Sequence, residues 1–128
     1  MKVIYKESRR YLANAREILR EKAGRDNGFY IDKKYVQMAG NTAWNGVLEA
    51  VEAWLRAKGV QRQLKVRPDV DWYLIEISKR NRKMNRHFVS AYNILHKYLG
   101  YDGELNTKIS KQGLEEAAEV IRLCERDT

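Results

Sequence analysis

The chain is short of nearly every residue that cross-links or punctuates a fold: one cysteine, one proline and two histidines stand among 128 residues. A lone Cys124 excludes an intramolecular disulfide framework and any multi-cysteine metal site, and it reads as a small core hydrophobe. One proline and eight glycines leave little punctuation for a many-stranded sheet. No apolar run approaches the ~20 residues of a membrane span, so no membrane partner is expected. The opening MKVIYKESRRYL breaks into charge after five positions, unlike a secretory signal, which makes a cytoplasmic location the expectation. A phosphate-cradling glycine loop, a zinc-ligand spacing and a nucleophile elbow are all missing. No metal and no cofactor is therefore expected.

What is present is charge and apolar bulk in helical rhythm. Charged residues make up 33% of the chain and hydrophobic ones 44%, enough for a core of ordinary density. The formal net charge is +8 and the isoelectric point about 9.6, which suits an anionic partner such as RNA or another polyanion. The length is that of one domain, residues 1–128, burying roughly two-thirds of its unfolded surface.

Four helical segments are legible. The first runs from about Ile4 to Ala23, with Tyr11, Ala15 and Ile18 on one face and Gly24 and Asn27-Gly28 as its stop. The second begins at Asp32, a suitable N-cap, and ends at Lys58 before Gly59. Ala39, Ala43, Gly46, Ala50, Ala53 and Ala57 step along it by three or four residues, with Trp54 beside them. Such a seam lets a neighbouring backbone approach closely, either another segment or a second copy of the chain. Residues 59–68 read as the main linker. Asp69 caps a third segment reaching Leu99, and the last starts around Thr107 to Ser110 and ends near Arg126. Short connections between them predict an all-α, up-and-down bundle of four main helices.

The third segment carries the densest chemistry. Lys79 to Phe88, KRNRKMNRHF, holds five cations and a histidine in ten residues. On one continuous helix at ~100° per residue, Lys79, Arg82, Lys83 and Arg86 face away from the apolar stripe. Asn81 falls inside the stripe, and Arg80 and His87 share its flank only ~20° apart. The outward four can neutralise phosphates or simply solvate the helix. An arginine and a histidine converging on one phosphodiester could cleave RNA without metal: the guanidinium offsets phosphate charge and the imidazole moves protons.

Arg82 to His87 fits R-x4-H, and Arg80-Asn81 to His87 fits R-N-x5-H. Both resemble the motif of the HEPN superfamily of small helical bundles. YLANAREILREKAG (11–24) and YVQMAGNTAWNGVLEAVEAWLRAKG (35–59) resemble its first two helices. AYNILHKYL (91–99) is similar to the Leu-His stretch of the PaREP-type branch. The resemblance implies a bundle that often dimerises. It implies either a binding module or a toxin-type, metal-independent ribonuclease paired with an antitoxin-like partner. In the nucleases the motif lies close to a His-x-Tyr. Here His96-Lys97-Tyr98 has no arginine four to six residues before it. The reading is thus a non-catalytic, homodimeric module that binds protein or nucleic acid through Lys79, Arg82, Lys83 and Arg86. Ala39, Ala43, Gly46, Ala50 and Trp54 serve packing or the interface. The alternatives are a ribonuclease using Arg80 or Arg82 with His87, and a purely structural interaction protein.

Overall fold

The computed structural model describes residues 2–62 and 68–128. Its centre is the helix that the sequence makes most apolar. Helix α2 spans Lys33–Ala57, and the Asp32 side chain caps it by accepting from the Lys34 amide at 3.0 Å. It stops where Gly59 turns to φ 81° and the Val60 amide reaches back to the Leu55 carbonyl at 2.8 Å, a left-handed glycine stop. Fourteen of its residues are buried, more than one face of a helix supplies, so it must be wrapped from several sides.

Helix α1, Lys6–Glu21, crosses α2 at Gly46. A Cβ there would lie 2.9 Å from the Tyr11 Cβ and 3.0 Å from the Ser8 carbonyl. Helix α5, Thr107–Arg126, packs on a further side, with its Asn106 cap accepting from the Lys108 amide at 2.9 Å. Trp54, fully buried, ties α2 to the end of α5 by donating from Nε1 to Asp127 Oδ2 at 2.9 Å.

The expected third segment is two helices. Helix α3 covers Val70–Ser78 and helix α4 covers Arg82–Ala91. Between them Asn81 is extended, at φ −154° and ψ 100°, and its Oδ1 accepts from the Met84 amide at 2.9 Å. The bundle is all-α and up-and-down with five main helices among the described residues, and the count of four is corrected accordingly. An asparagine side chain satisfies orphan amides at a helix start better than it fills an apolar stripe. Ile77, Met84 and Phe88 stay fully buried across the break, which is why periodicity does not register it.

Beyond Ala91 the helix widens into π-type turns over Tyr92–Tyr101. This stretch lies against α2 at Gly40, where a Cβ would come within 2.6 Å of the Leu95 carbonyl and the Leu99 Cβ. Residues 63–67 of the expected linker lie outside the described residues.

A small hairpin joins α1 to α2. Strands β1, Arg25–Asp26, and β2, Phe29–Tyr30, pair antiparallel with Arg25 opposite Tyr30. Asn27 and Gly28 form its turn at φ 52° and 86°, the positive values that a two-residue hairpin needs. The hairpin also straps the start of α5, because Tyr30 donates to the Leu105 carbonyl at 2.8 Å and Thr107 to the Gly28 carbonyl at 3.1 Å.

Candidate functional site

The cationic decapeptide straddles the α3–α4 joint, and the break assigns its members to different neighbours. Arg80, at the end of α3, folds back onto its own helix. Its Nη1 donates to the Glu76 carbonyl at 2.9 Å and pairs with Glu76 Oε2 at 3.0 Å. Lys79 Nζ lies 3.6 Å from the other oxygen of the same carboxylate. Glu76 thus absorbs two of the five cations.

His87, on α4, is half-buried and faces α5. Its Nδ1 lies 2.6 Å from Glu116 Oε2. A carboxylate only accepts, so Nδ1 carries the proton and Nε2 is left outward. Nearby, Arg122 donates from Nε to Glu119 Oε2 at 2.9 Å. That bond holds the Glu119 carboxyl below its ordinary range against a smaller opposing effect of burial, with weaker help from His87 and Lys83. Lys83 is exposed and enters no ion pair among the described residues, adding only a weak charge interaction to Glu119.

Arg82 and Arg86 are left. Both are exposed, one turn apart on α4, and among the described residues neither enters an ion pair. Helix α4 opens with Arg82 and Lys83 and has no acidic residue in its first turn. Cations at a helix N-terminus oppose the helix dipole by ~0.3–1 kcal/mol each. Local stability does not account for them, whereas an incoming anion would offset them.

The frame that placed Arg80 and His87 on one rim assumed a continuous helix, and the Asn81 break removes it. Arg80, Arg82 and His87 are directed to Glu76, to solvent and to Glu116 respectively. Glu76 was visible at i,i+4 from Arg80, but Glu116 sits 29 residues from His87 and is brought to it only by packing.

Ala39, Ala43, Gly46, Ala50 and Trp54 are buried by the chain's own elements. Trp44 lies against Phe88 and Tyr92 at centroid distances of 5.2 and 5.4 Å, and His96 stacks on Tyr92 at 5.4 Å. His96 itself is exposed. Burial pushes the Cys124 thiol well above its ordinary pKa, so it stays protonated and unreactive. Among the described residues no group of three His, Cys, Asp or Glu could hold a metal ion. None of their helices is long and apolar enough to cross a membrane.

The family model described as "Domain of unknown function (DUF5618)" matches residues 4–126. A solved structure of a protein of unknown function from Dyadobacter fermentans is 40% identical to the chain, with a TM-score of 0.88. The alignment covers 98% of this chain and 96% of that one. No curated protein matches.

Proposed function

The chain belongs to the DUF5618 family, and from that premise we propose that it is a non-catalytic, HEPN-like module that binds RNA in the cytoplasm as a homodimer. One observation supports the reading above others. Of the candidate catalytic groups, Arg80 and His87 are held by different carboxylates and Arg82 faces solvent, while Arg82 and Arg86 together stand exposed and unpaired among the described residues. Such a face neutralises phosphates without reading bases, so its affinity falls as salt rises. Lys79 and Lys83, nearer to carboxylates, contribute less.

The test is fluorescence anisotropy with a single-stranded RNA over a salt series. A log–log slope is expected that shrinks by about 1.4 in the Arg82→Ala/Arg86→Ala double variant, at ~0.7 per phosphate contact on a single strand. A salt-independent signal, or none at low salt, would leave only a structural partner role.

A second reading rests on one contact. With Nδ1 anchored by Glu116, the outward Nε2 of His87 is oriented as a general base would be, as a toxin-type ribonuclease with an antitoxin-like partner would require. Cleavage of the same RNA in EDTA, abolished by His87→Ala, would favour it. We expect intact RNA with both proteins.

A further inference from the structure

A second concentration of positive charge lies away from α3 and α4 altogether. A cavity of about 550 Å³ opens between α1, the hairpin and the first turns of α5. Arg16 and Arg20 line it from α1, Arg25 from β1, and Lys108 and Lys111 from α5. No carboxylate lines it. Among the described residues Arg16, Lys108 and Lys111 form no ion pair, and Arg20 is shared only with the exposed Glu21 at 3.2 Å. Five like charges drawn from three elements into one concavity repel one another, and among the described residues only Glu21, beside Arg20, offsets any of them.

The polar wall of the cavity is set by the docking of the hairpin on α5. Tyr30 is almost fully buried, with its Oη 3.2 Å from the Oγ of the buried Ser110. Ser110 Oγ in turn donates to the Thr107 carbonyl at 2.9 Å. Arg25 Nη2 donates to the phenol oxygen at 3.4 Å, and its guanidinium sits 5.4 Å from the centre of the ring. Leu19 and Leu114 supply apolar surface. The first amides of α5 are occupied, Thr107 by the Gly28 carbonyl and Lys108 by Asn106 Oδ1. Recognition therefore falls to the guanidinium and ammonium groups, whose donors suit phosphate oxygens.

We propose that this cavity binds the terminal phosphate of a phosphorylated molecule through Arg16, Arg25 and Lys111, with Arg20 and Lys108 adding charge at its mouth. The volume falls within the ~300–1,000 Å³ of small-molecule sites, so a phosphate ester or pyrophosphate fits better than a bare phosphate ion. The ester can come from a free small molecule or from the 5′ end of an RNA. The site is separate from the Arg82–Arg86 face and stands without the RNA reading above.

The test is calorimetric titration of the full chain at low salt with pyrophosphate, ribose 5-phosphate, and short RNAs bearing either a 5′-phosphate or a 5′-hydroxyl. Saturable binding of at least one phosphate probe is expected, weakened at least about tenfold by Arg16→Gln/Lys111→Gln. Arg82→Gln/Arg86→Gln should leave unchanged the binding of pyrophosphate and ribose 5-phosphate and any preference for a 5′-phosphate over a 5′-hydroxyl RNA end. Preference for the 5′-phosphorylated RNA over its hydroxyl form, lost in the Arg16/Lys111 variant, supports the site and assigns the ester to an RNA end. Saturation by pyrophosphate or ribose 5-phosphate with no such preference supports it and assigns the ester to a free molecule. No binding of pyrophosphate or ribose 5-phosphate together with equal affinity for the two RNAs, or equal weakening of small-phosphate binding by both double variants, overturns the proposal. Because the substituted side chains are exposed, circular dichroism of the variants should match the parent. Should Arg16→Gln/Lys111→Gln unfold, the single exposed change Lys111→Gln replaces it in the same titrations, where weakened phosphate binding supports the site and unchanged binding overturns it.

Discussion

Asn81 is the residue on which the cationic segment turns. Its side chain satisfies the Met84 amide and its extended backbone ends one helix and begins the next. Removing that acceptor in Asn81→Ala should cost about 1 kcal/mol, as loss of an asparagine cap does. Urea unfolding should show a lower midpoint with an unchanged slope. Asn81→Asp keeps the acceptor and adds a negative charge at a helix start beside Arg82 and Lys83, so its midpoint should match or exceed the parent. An Ala variant as stable as the parent would mean the cap contributes nothing. Along the sequence, Asn81 shares the face of Ile77, Met84 and Phe88 and so reads as an inward polar residue on a longer helix. A seven-residue step returns to the same face whether or not the helix is interrupted, so periodicity cannot expose the cap. His87 shows the complementary limit: its place near the apolar flank is legible, but its partner is not.

At the scale of elements, the small seam of α2 is where one backbone meets another. The sequence displays the seam in full and leaves open whether the neighbour is a segment of the same chain or a second copy. The neighbours are α1 at Gly46 and, next to Ala39 of the seam, the π-type turns at Gly40. These contacts differ in how far they can yield. At Gly40 an added methyl would meet the Leu95 carbonyl oxygen at 2.6 Å and the Gly100 amide nitrogen at 2.8 Å, both backbone atoms. At Gly46 the nearest atom, at 2.9 Å, is the Tyr11 Cβ. Gly40→Ala should therefore destabilise by about 1–3 kcal/mol through overpacking, outweighing the ~1 kcal/mol that alanine gains in a helix. Gly46→Ala should cost less. Thermal unfolding of the two variants ranks them, and a stabilised Gly40→Ala would show that the wide turns shift aside freely. The hairpin is the element that helical periodicity passes over. Asn27-Gly28 reads as the end of a helix, although that dipeptide is also the strongest short signal for a two-residue hairpin turn. Strands of two residues are too short to display alternation, so only the turn could announce them. With the hairpin unseen, Arg25 and Tyr30 cannot be joined to Arg16 and Lys111, and the second basic cavity stays out of view.

For the whole molecule, charge and association pull in opposite directions. Each chain carries a net +8, so two copies repel before any apolar surface meets, and added salt screens that repulsion. From Ala39 to Ala53 the small seam is already covered within the chain. A twofold contact would have to use apolar side chains that remain exposed, such as Ile31, Met38, Tyr98 and Tyr101. Sedimentation at micromolar concentration should then show a dimer fraction that rises with salt. On the proposed reading, RNA affinity should fall over the same series, because phosphate contacts of Arg82 and Arg86 would be its source. Opposite signs in one titration separate the two halves of the functional reading. RNA added at low salt should promote the dimer as screening salt does, since a bound polyanion cancels the charge that keeps the copies apart. A monomer throughout the series, with or without RNA, would remove dimerisation from the function while leaving the cationic face of α4 in place.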